Sequence, residues 1–154
     1  MKKNFWTTIA LSALLVGSLD IIAAIVNFYI KTGKDPQIVL KYIASALVGK
    51  EAFAGGTAMS ALGLVLHFLV AFIWTTFFFW IFPKLRFLSF NRILTAILYG
   101  IFIWFIMNYV VVPMSKASVG PFNLKQATIA ALILIGAIGL PLSFIAYRFY
   151  NEKK

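Results

Sequence analysis

Two ionisable side chains lie inside long apolar stretches, and they are the residues best placed to do chemistry. Asp20 lies in the first stretch and His67 in the second. An ionisable group in lipid costs at least about 2.5–3.5 kcal/mol on insertion scales, so it indicates function by default. A carboxyl beside an imidazole could carry a proton, sense pH or hold a cation, and the two would titrate together. The alternative is that the pair only holds two helices together.

The spacing of the two groups places them at one depth. Asp20 lies ten residues before the end of the first stretch, and His67 ten residues after the start of the second. Both are then about 15 Å from the ends that two antiparallel helices share, so we predict that they meet near mid-membrane. The same register sets Asn27 opposite Ser60. With Asn108 of the third stretch, these side chains form a predicted ligand or proton site that opens outward.

Other chemistries fit the sequence less well. One histidine, one aspartate and a few amides fall short of the three or four strong donors of a transition-metal site. Ser60 is two helical turns from His67, which is too far for a nucleophile and its base. Cysteine is absent, which excludes disulfides and thiolate chemistry. We therefore predict no metal, no cofactor and no catalytic residue, and a membrane enzyme acting on lipid is the least favoured reading.

The composition sets the class of protein. Of 154 residues, 62% are hydrophobic and 12% are charged, whereas a soluble domain carries about 25% charge. This excludes a water-soluble enzyme and a disordered chain. The net charge of +10 comes from basic residues between apolar stretches, which argues against a nucleic-acid partner. We predict one integral membrane domain over residues 1–154, with the lipid bilayer as its partner.

Four stretches are long enough to cross a bilayer, which takes about 20 apolar residues in a helix. They are residues 5–30, 57–82, 93–114 and 126–147. Apolar runs such as Phe77-Phe78-Phe79-Trp80 do not alternate as barrel strands would. The predicted fold is all-α, a four-helix transmembrane bundle.

An outer-face amphipathic helix is predicted between the first and second spans, over about residues 36–50. Asp35 and Pro36 form a typical helix start. An apolar stripe follows at helical spacing, made of Val39, Tyr42, Ile43, Ala46 and Leu47. This helix is either a lid over the bundle or a connector lying in the interface.

Small residues at helical spacing predict where helices approach closely, because a missing side chain lets backbones meet in lipid. The glycines assigned to helix packing are Gly17, Gly56, Gly63, Gly136 and Gly139. Pro113 is expected to end or bend the third span, and Pro141 to kink the fourth.

The distribution of positive charge predicts that both termini are cytoplasmic. Eight basic residues fall on the side of the termini, namely Lys2, Lys3, Lys84, Arg86, Arg92, Arg148, Lys153 and Lys154. Six fall on the other side, namely Lys31, Lys34, Lys41, Lys50, Lys116 and Lys125.

Several short motifs also form a recognisable combination. They are Asp20, Ile43-Ala44-Ser45, Gly49, Ala52-Phe53-Ala54-Gly55-Gly56, Ala61-Leu62-Gly63, His67-Phe68, and Met107-Asn108 before Pro113. Over residues 12–113 the chain resembles a family of small four-helix bacterial inner-membrane proteins of uncharacterised activity. The resemblance implies this architecture and a bacterial inner membrane, and it implies no activity.

For function, the polar site favours a small transporter or ligand-binding protein for a proton-coupled, cationic or lipid-like solute. The alternative is a non-catalytic accessory or assembly subunit of a larger membrane complex. For a chain of this size, a homo-oligomer is a further alternative.

Overall fold

Five helices make up the fold in the computed structural model, which describes residues 4–85 and 91–151. They are α1 (Phe5–Thr32), α2 (Gln37–Val48), α3 (Gly56–Ile81), α4 (Arg92–Met114) and α5 (Leu124–Asn151). A 3₁₀ turn, Gly49–Phe53, connects α2 to α3. No strand occurs in the two described ranges, and the predicted all-α class is confirmed.

Four of the helices, α1, α3, α4 and α5, are long and apolar enough to cross a membrane. They contain 23 to 28 residues, against the roughly 20 that a bilayer core requires. This indicates an integral membrane protein. The predicted span limits agree with the helices to within two residues, except at the end of α5. That helix continues to Asn151, because Phe149 is only 2% exposed and belongs to the core.

Short polar side chains fix where the helices begin. Asn4, Asn91 and Asn123 precede α1, α4 and α5, and each side-chain oxygen accepts a backbone N–H of the first turn at 3.0–3.2 Å. Asp35 does the same before α2, accepting the N–H of Gln37 at 2.9 Å. Such caps satisfy donors that a helix start would otherwise leave unpaired.

Two spans contain a wider π-helical turn close to a proline. The turn Met107–Val111 precedes Pro113 in α4, and Ile135–Gly139 precedes Pro141 in α5. A proline ring crowds the carbonyl four residues earlier and offers it no N–H. A π turn changes the hydrogen-bond register at that point, and such turns often lie at functional sites. Near Pro113, the widened turn includes Asn108.

The large buried side chains are concentrated in the half of the bundle away from α2. The core there consists of Ile9, Val16, Phe78, Phe79, Phe82, Tyr99, Ile103, Ile138, Leu142, Ala146 and Phe149. The ring centroids of Phe78 and Tyr99 lie 4.4 Å apart, and the hydroxyl of Tyr99 donates to the carbonyl of Trp74. This half is closed mainly by apolar packing, and it also buries the hydroxyl side chains of Ser12, Thr75, Thr95 and Ser143. The amide side chains of the spans, Asn27 and Asn108, lie toward α2.

Several glycines let neighbouring helices approach closely. A Cβ built on Gly17 would lie 2.9 Å from the Phe68 ring of α3. One on Gly139 of α5 would lie 2.3 Å from the carbonyl oxygen of Ala96 in α4. Gly100 of α4, which the sequence analysis did not assign to packing, has the backbone of Ile135 at 2.7–2.8 Å.

Two of the predicted packing glycines do not pack. A Cβ on Gly56 or Gly136 would meet nothing within 4 Å. Gly56 has a φ of +62° and serves the turn that begins α3, since glycine adopts this conformation without strain. Gly136 lies in the π turn of α5, where the extra residue per turn breaks the regular spacing on which the predicted stripe depended.

Helix α2 packs on α3. A Cβ on Gly63 would lie 1.9 Å from the carbonyl oxygen of Leu40, so the two backbones cross almost in contact. Ala44 and Ser45 are buried, whereas Tyr42 and Leu47 of the predicted stripe are exposed. The helix begins where predicted, and it ends at Val48 because Gly49 has a φ of +75°.

The bundle therefore has two distinct ends. The α2 end contains α2, the last turns of α1 and α4 and the first turn of α5. The arginine end contains Arg92 and Arg148, beside the last turn of α3. Five basic residues in the predicted topology signal, Lys2, Lys3, Arg86, Lys153 and Lys154, lie outside the described residues.

Candidate functional site

The five polar residues predicted to share one pocket are divided among three places. His67 and Asp20 lie where α1 meets α3. Ser60 lies where α2 meets α3. Asn27 and Asn108 line a cleft at the α2 end. Of the five, Asn27 and Asn108 share the lining of the cleft at the α2 end, and Ser60 is engaged by α2, which packs on α3.

The ring of His67 makes a hydrogen bond between two membrane-spanning helices. Its Nε2 lies 2.8 Å from the carbonyl oxygen of Gly17. A carbonyl oxygen only accepts, so Nε2 carries a hydrogen and donates it. The bond depends on the absence of a side chain at Gly17, which lets α3 approach α1 with Phe68 and Ala71 on either side of the contact.

Asp20 lies one helical turn beyond Gly17 and interacts electrostatically with His67. The two residues therefore meet through this electrostatic interaction, and the ring makes its hydrogen bond to the Gly17 carbonyl rather than to the carboxyl. Within residues 4–85 and 91–151, no hydrogen bond or ion pair joins the Asp20 carboxyl to the ring. The Gly17 carbonyl is the nearer acceptor and takes the Nε2–H. Asp20 is half-buried, and it is a neighbour of the bond rather than its partner.

Ser60 pairs with α2 instead of α1. Its hydroxyl donates to Oε1 of Gln37 at 3.1 Å. Gly63, one turn further along the same face, lies against Leu40. The predicted approach of Ser60 to Asn27 is therefore wrong, because α2 occupies this face of α3. Gln37 was missed at the sequence level, where α2 was predicted to be either a lid over the bundle or a connector in the interface and no contact with Ser60 was assigned to it.

Asn27 and Asn108 do come together, in a cleft of about 570 Å³ at the α2 end. This volume is within the range of small-molecule sites. The side chains in its lining that carry polar groups are Asn27, Lys31, Tyr42, Trp104, Asn108, Tyr109, Asn123 and Gln126. No Asp or Glu is among the lining residues. The cleft thus offers amides, two tyrosine hydroxyls, an indole N–H and one cation, and it offers no negative charge.

The remaining walls of this cleft are apolar and aromatic. They are formed chiefly by Trp104, Tyr109, Pro113, Val119, Pro121 and Phe122. Sequence reasoning missed these walls together with Lys31 and Gln126. A partial signal exists, since Lys31 follows Asn27 by four residues and Trp104 precedes Asn108 by four, and residues four apart share a helix face. No spacing in the sequence indicates that residues 119–123 lie against this cleft.

The amide of Asn108 is oriented by its own helix. Its Nδ2 donates to the carbonyl oxygen of Trp104 at 2.8 Å, beside the π turn. One of the two Nδ2 hydrogens is thereby engaged, and the other hydrogen and Oδ1 are the groups that Asn108 can offer to a ligand. Amide orientation of this kind is assigned from the hydrogen-bond network.

Helix α2 is tied to the loop between α4 and α5 at the mouth of the cleft. The hydroxyl of Tyr42 donates to the carbonyl oxygen of Ser118 at 3.2 Å, and the N–H of Lys116 donates to that of Ala46 at 3.0 Å. Partial burial raises the pKa of Tyr42 above its usual value of 10.0. Its hydroxyl therefore keeps its proton and remains a donor at neutral pH.

No metal centre emerges in the part of the chain that the structure describes, where no three His, Cys, Asp or Glu side chains come together. The chemistry available at the α2 end is therefore binding by hydrogen bonds, one positive charge and apolar contact. Comparison of the chain with protein-family models, with curated proteins and with solved structures gives no match.

Proposed function

We propose that the protein is a small transporter or ligand-binding protein of the membrane that holds an amphipathic, lipid-like solute in the cleft at the α2 end. The observation that carries the proposal is the lining of this cleft, which combines polar groups with apolar walls. Ligand sites commonly have this character, with a few placed polar groups in an apolar surround.

The charge of the residues that line the cleft indicates which class of solute it can bind. Lys31 is the charged residue of the lining, and no carboxylate accompanies it. A cationic head group would be repelled by Lys31 and would find no counter-ion. An anionic or neutral polar head group would be stabilised by Lys31 and by the amides of Asn27 and Gln126. The aromatic walls suit the attached apolar chain.

The pair of Asp20 and His67 is the proposed site of proton coupling. Asp20 lies seven residues before Asn27 on α1, or two helical turns and about 10 Å. The His67–Gly17 hydrogen bond holds the same stretch of α1 to α3. A change of charge at Asp20 would alter the electrostatics of this bond, and thus the packing of the helix that carries Asn27 and Lys31.

The proposal is tested by equilibrium binding to the purified protein in phosphatidylcholine nanodiscs. The probe is dansyl-undecanoic acid, and dodecyltrimethylammonium serves as the cationic competitor. Loss of a charge-assisted hydrogen bond costs about 1.5–3 kcal/mol. We therefore expect Lys31→Gln to weaken binding of the acid at least tenfold. Lys34→Gln is the matched control, since Lys34 is exposed at the same end and does not line the cleft.

Two outcomes would overturn this proposal. One is equal loss of binding in Lys31→Gln and Lys34→Gln, which would make the effect one of general surface charge. The other is displacement of the acid by the cationic competitor as readily as by unlabelled fatty acid. A protein that binds no amphiphile and purifies in fixed ratio with a second membrane protein would favour the accessory-subunit alternative.

We also propose that the arginine end faces the cytoplasm of a bacterial inner membrane. The support is the excess of basic residues on the side of both termini, which is the usual bias of cytoplasmic loops. Because the chain has no cysteine, Lys84→Cys and Lys34→Cys can each be labelled alone in intact cells. An impermeant maleimide should label Lys34→Cys and spare Lys84→Cys, and the reverse pattern would invert the topology.

A further inference from the structure

A second groove, at the arginine end, has features that the proposed function does not use. It measures about 620 Å³ and opens to the outside between the start of α4 and the last turns of α5. Its lining consists of Arg92, Phe144, Ile145, Tyr147, Arg148 and Asn151. Two of these six residues are cations, and none is an acid.

The guanidinium of Arg92 is held in place by aromatic rings. Its Cζ lies 4.0 Å from the ring centroid of Tyr147 and 5.1 Å from that of Phe144. The rings contact the guanidinium by a cation–π interaction, which uses none of its N–H groups as hydrogen-bond donors to a carboxylate or carbonyl. A guanidinium fixed in this way loses less freedom when it binds a phosphate bidentately.

The α5 wall of the groove changes from apolar to polar along its length. Phe144, Arg148 and Asn151 are spaced by four and three residues, so they share one face of the helix. Phe144 is 46% exposed. A ligand along this face would meet an apolar ring toward the middle of the membrane and guanidinium and amide donors at its edge. An acyl chain attached to a phosphate has the same polarity.

We infer that this groove binds an anionic phospholipid of the surrounding bilayer, with its phosphate on Arg92 at the cationic edge of the groove and its acyl chain against Phe144 and Ile145. Basic pockets at the ends of membrane-spanning helices suit such head groups. A ring contact alone does not mark a binding site, since Lys84 at the same end also lies over a ring. What distinguishes Arg92 from a general positive charge is its place in a groove that combines two guanidinium groups with an exposed apolar ring.

The test uses native mass spectrometry of the full chain with phosphatidylglycerol and with phosphatidylcholine of the same acyl chains. We expect phosphatidylglycerol to bind the wild type at least tenfold more tightly. Arg92→Gln should lose about tenfold in affinity for phosphatidylglycerol, as expected for a hydrogen bond to a charged group. Lys84→Gln is the matched control, because Lys84 lies at the same end over the Trp80 ring and outside the groove.

Tyr147→Leu separates the stacking from the charge. It removes the ring beneath Arg92 and keeps both guanidinium groups, and it should weaken phosphatidylglycerol binding several-fold. Equal losses in Arg92→Gln and Lys84→Gln would overturn the inference, as would equal affinity of the wild type for the two lipids. Competition by millimolar inorganic phosphate as effective as that by phosphatidylglycerol would assign the groove to free phosphate and contradict a lipid occupant.

Discussion

His67 of α3 donates a hydrogen bond to the backbone carbonyl of Gly17 in α1, with 2.8 Å between Nε2 and the oxygen. This bond joins two membrane-spanning helices at the position where α1 has no side chain. Asp20 lies one turn away and interacts with the ring through its charge. Gly17, His67 and Asp20 thus form one unit. Gly17 permits the close contact, His67 makes the hydrogen bond, and Asp20 interacts with the ring electrostatically.

The first prediction concerns Gly17. In Gly17→Ala the new Cβ would lie 2.9 Å from the Phe68 ring and 3.2 Å from the Cβ of Ala71, so the ring must shift, Ala71 must give by a few tenths of an ångström, and the contact that holds the His67 bond is strained. We expect a loss of about 1–3 kcal/mol in the free energy of unfolding, typical of overpacking. The measurement is a denaturation series in mixed micelles.

Gly136→Ala is the matched control for Gly17→Ala. Nothing lies within 4 Å of its Cβ position, so the substitution should be neutral or stabilise the helix slightly. Equal destabilisation by the two alanines would show that α1 and α3 do not depend on close contact at Gly17.

The second prediction concerns the contact between α2 and α3. In Gly63→Ala the Cβ would lie 1.9 Å from the Leu40 carbonyl oxygen, and a backbone atom cannot move without moving its helix. We expect a loss of stability of about 2 kcal/mol or more. Displacement of α2 would also carry Tyr42 away from the cleft, so amphiphile binding should weaken. Unchanged stability and binding would contradict the packing of α2 on α3.

The helices themselves could be read from the sequence because a membrane span depends on length and hydropathy alone. Apolar stretches of about 20 residues set α1, α3 and α4 to within two residues. Asparagine and aspartate caps mark the helix starts for a local reason, since the side chain satisfies the N–H groups next to it. These features need no knowledge of which helix contacts which.

The candidate site could be predicted from the sequence only in part, because its geometry depends on contacts between residues far apart in the chain. Asn27 and Asn108 were identified as polar residues in spans, and they do share the cleft. Ser60 was assigned to the wrong neighbour, since nothing local shows that α2 folds against α3. Lys31 was counted as a loop charge, although it lies in the last turn of α1 and lines the cleft.

The third prediction concerns Asp20→Asn. The amide has nearly the same shape, and Asp20 makes no hydrogen bond that the structure records for it, so the fold and the unfolding midpoint should be retained. Asparagine cannot ionise, so the pH profile of amphiphile binding should become flatter. Asp35→Asn is the control, because it removes a charge outside the spans and still caps α2. Superimposable pH profiles for the wild type and Asp20→Asn would exclude Asp20 from proton coupling.

The fourth prediction concerns the link between Tyr42 and Ser118. Because partial burial raises the pKa of Tyr42, its hydroxyl is a donor throughout the neutral range, and Tyr42→Phe removes that donor. The cost should be about 0.5–1.5 kcal/mol, with faster hydrogen exchange in residues 115–123. Tyr29→Phe, at an exposed tyrosine of α1, should leave this exchange unchanged. Equal rates in the wild type and Tyr42→Phe would mean that the bond does not hold the loop.

The central claim is that the cleft at the α2 end binds an amphiphile, and ligand protection of a single cysteine tests it most directly. The chain has no cysteine of its own, so Gln126→Cys reports from the lining and Lys34→Cys from outside it. We predict that saturating dansyl-undecanoic acid slows maleimide labelling of Gln126→Cys several-fold and leaves Lys34→Cys unchanged. Unchanged labelling of Gln126→Cys, or equal slowing at both positions, would contradict a ligand in this cleft.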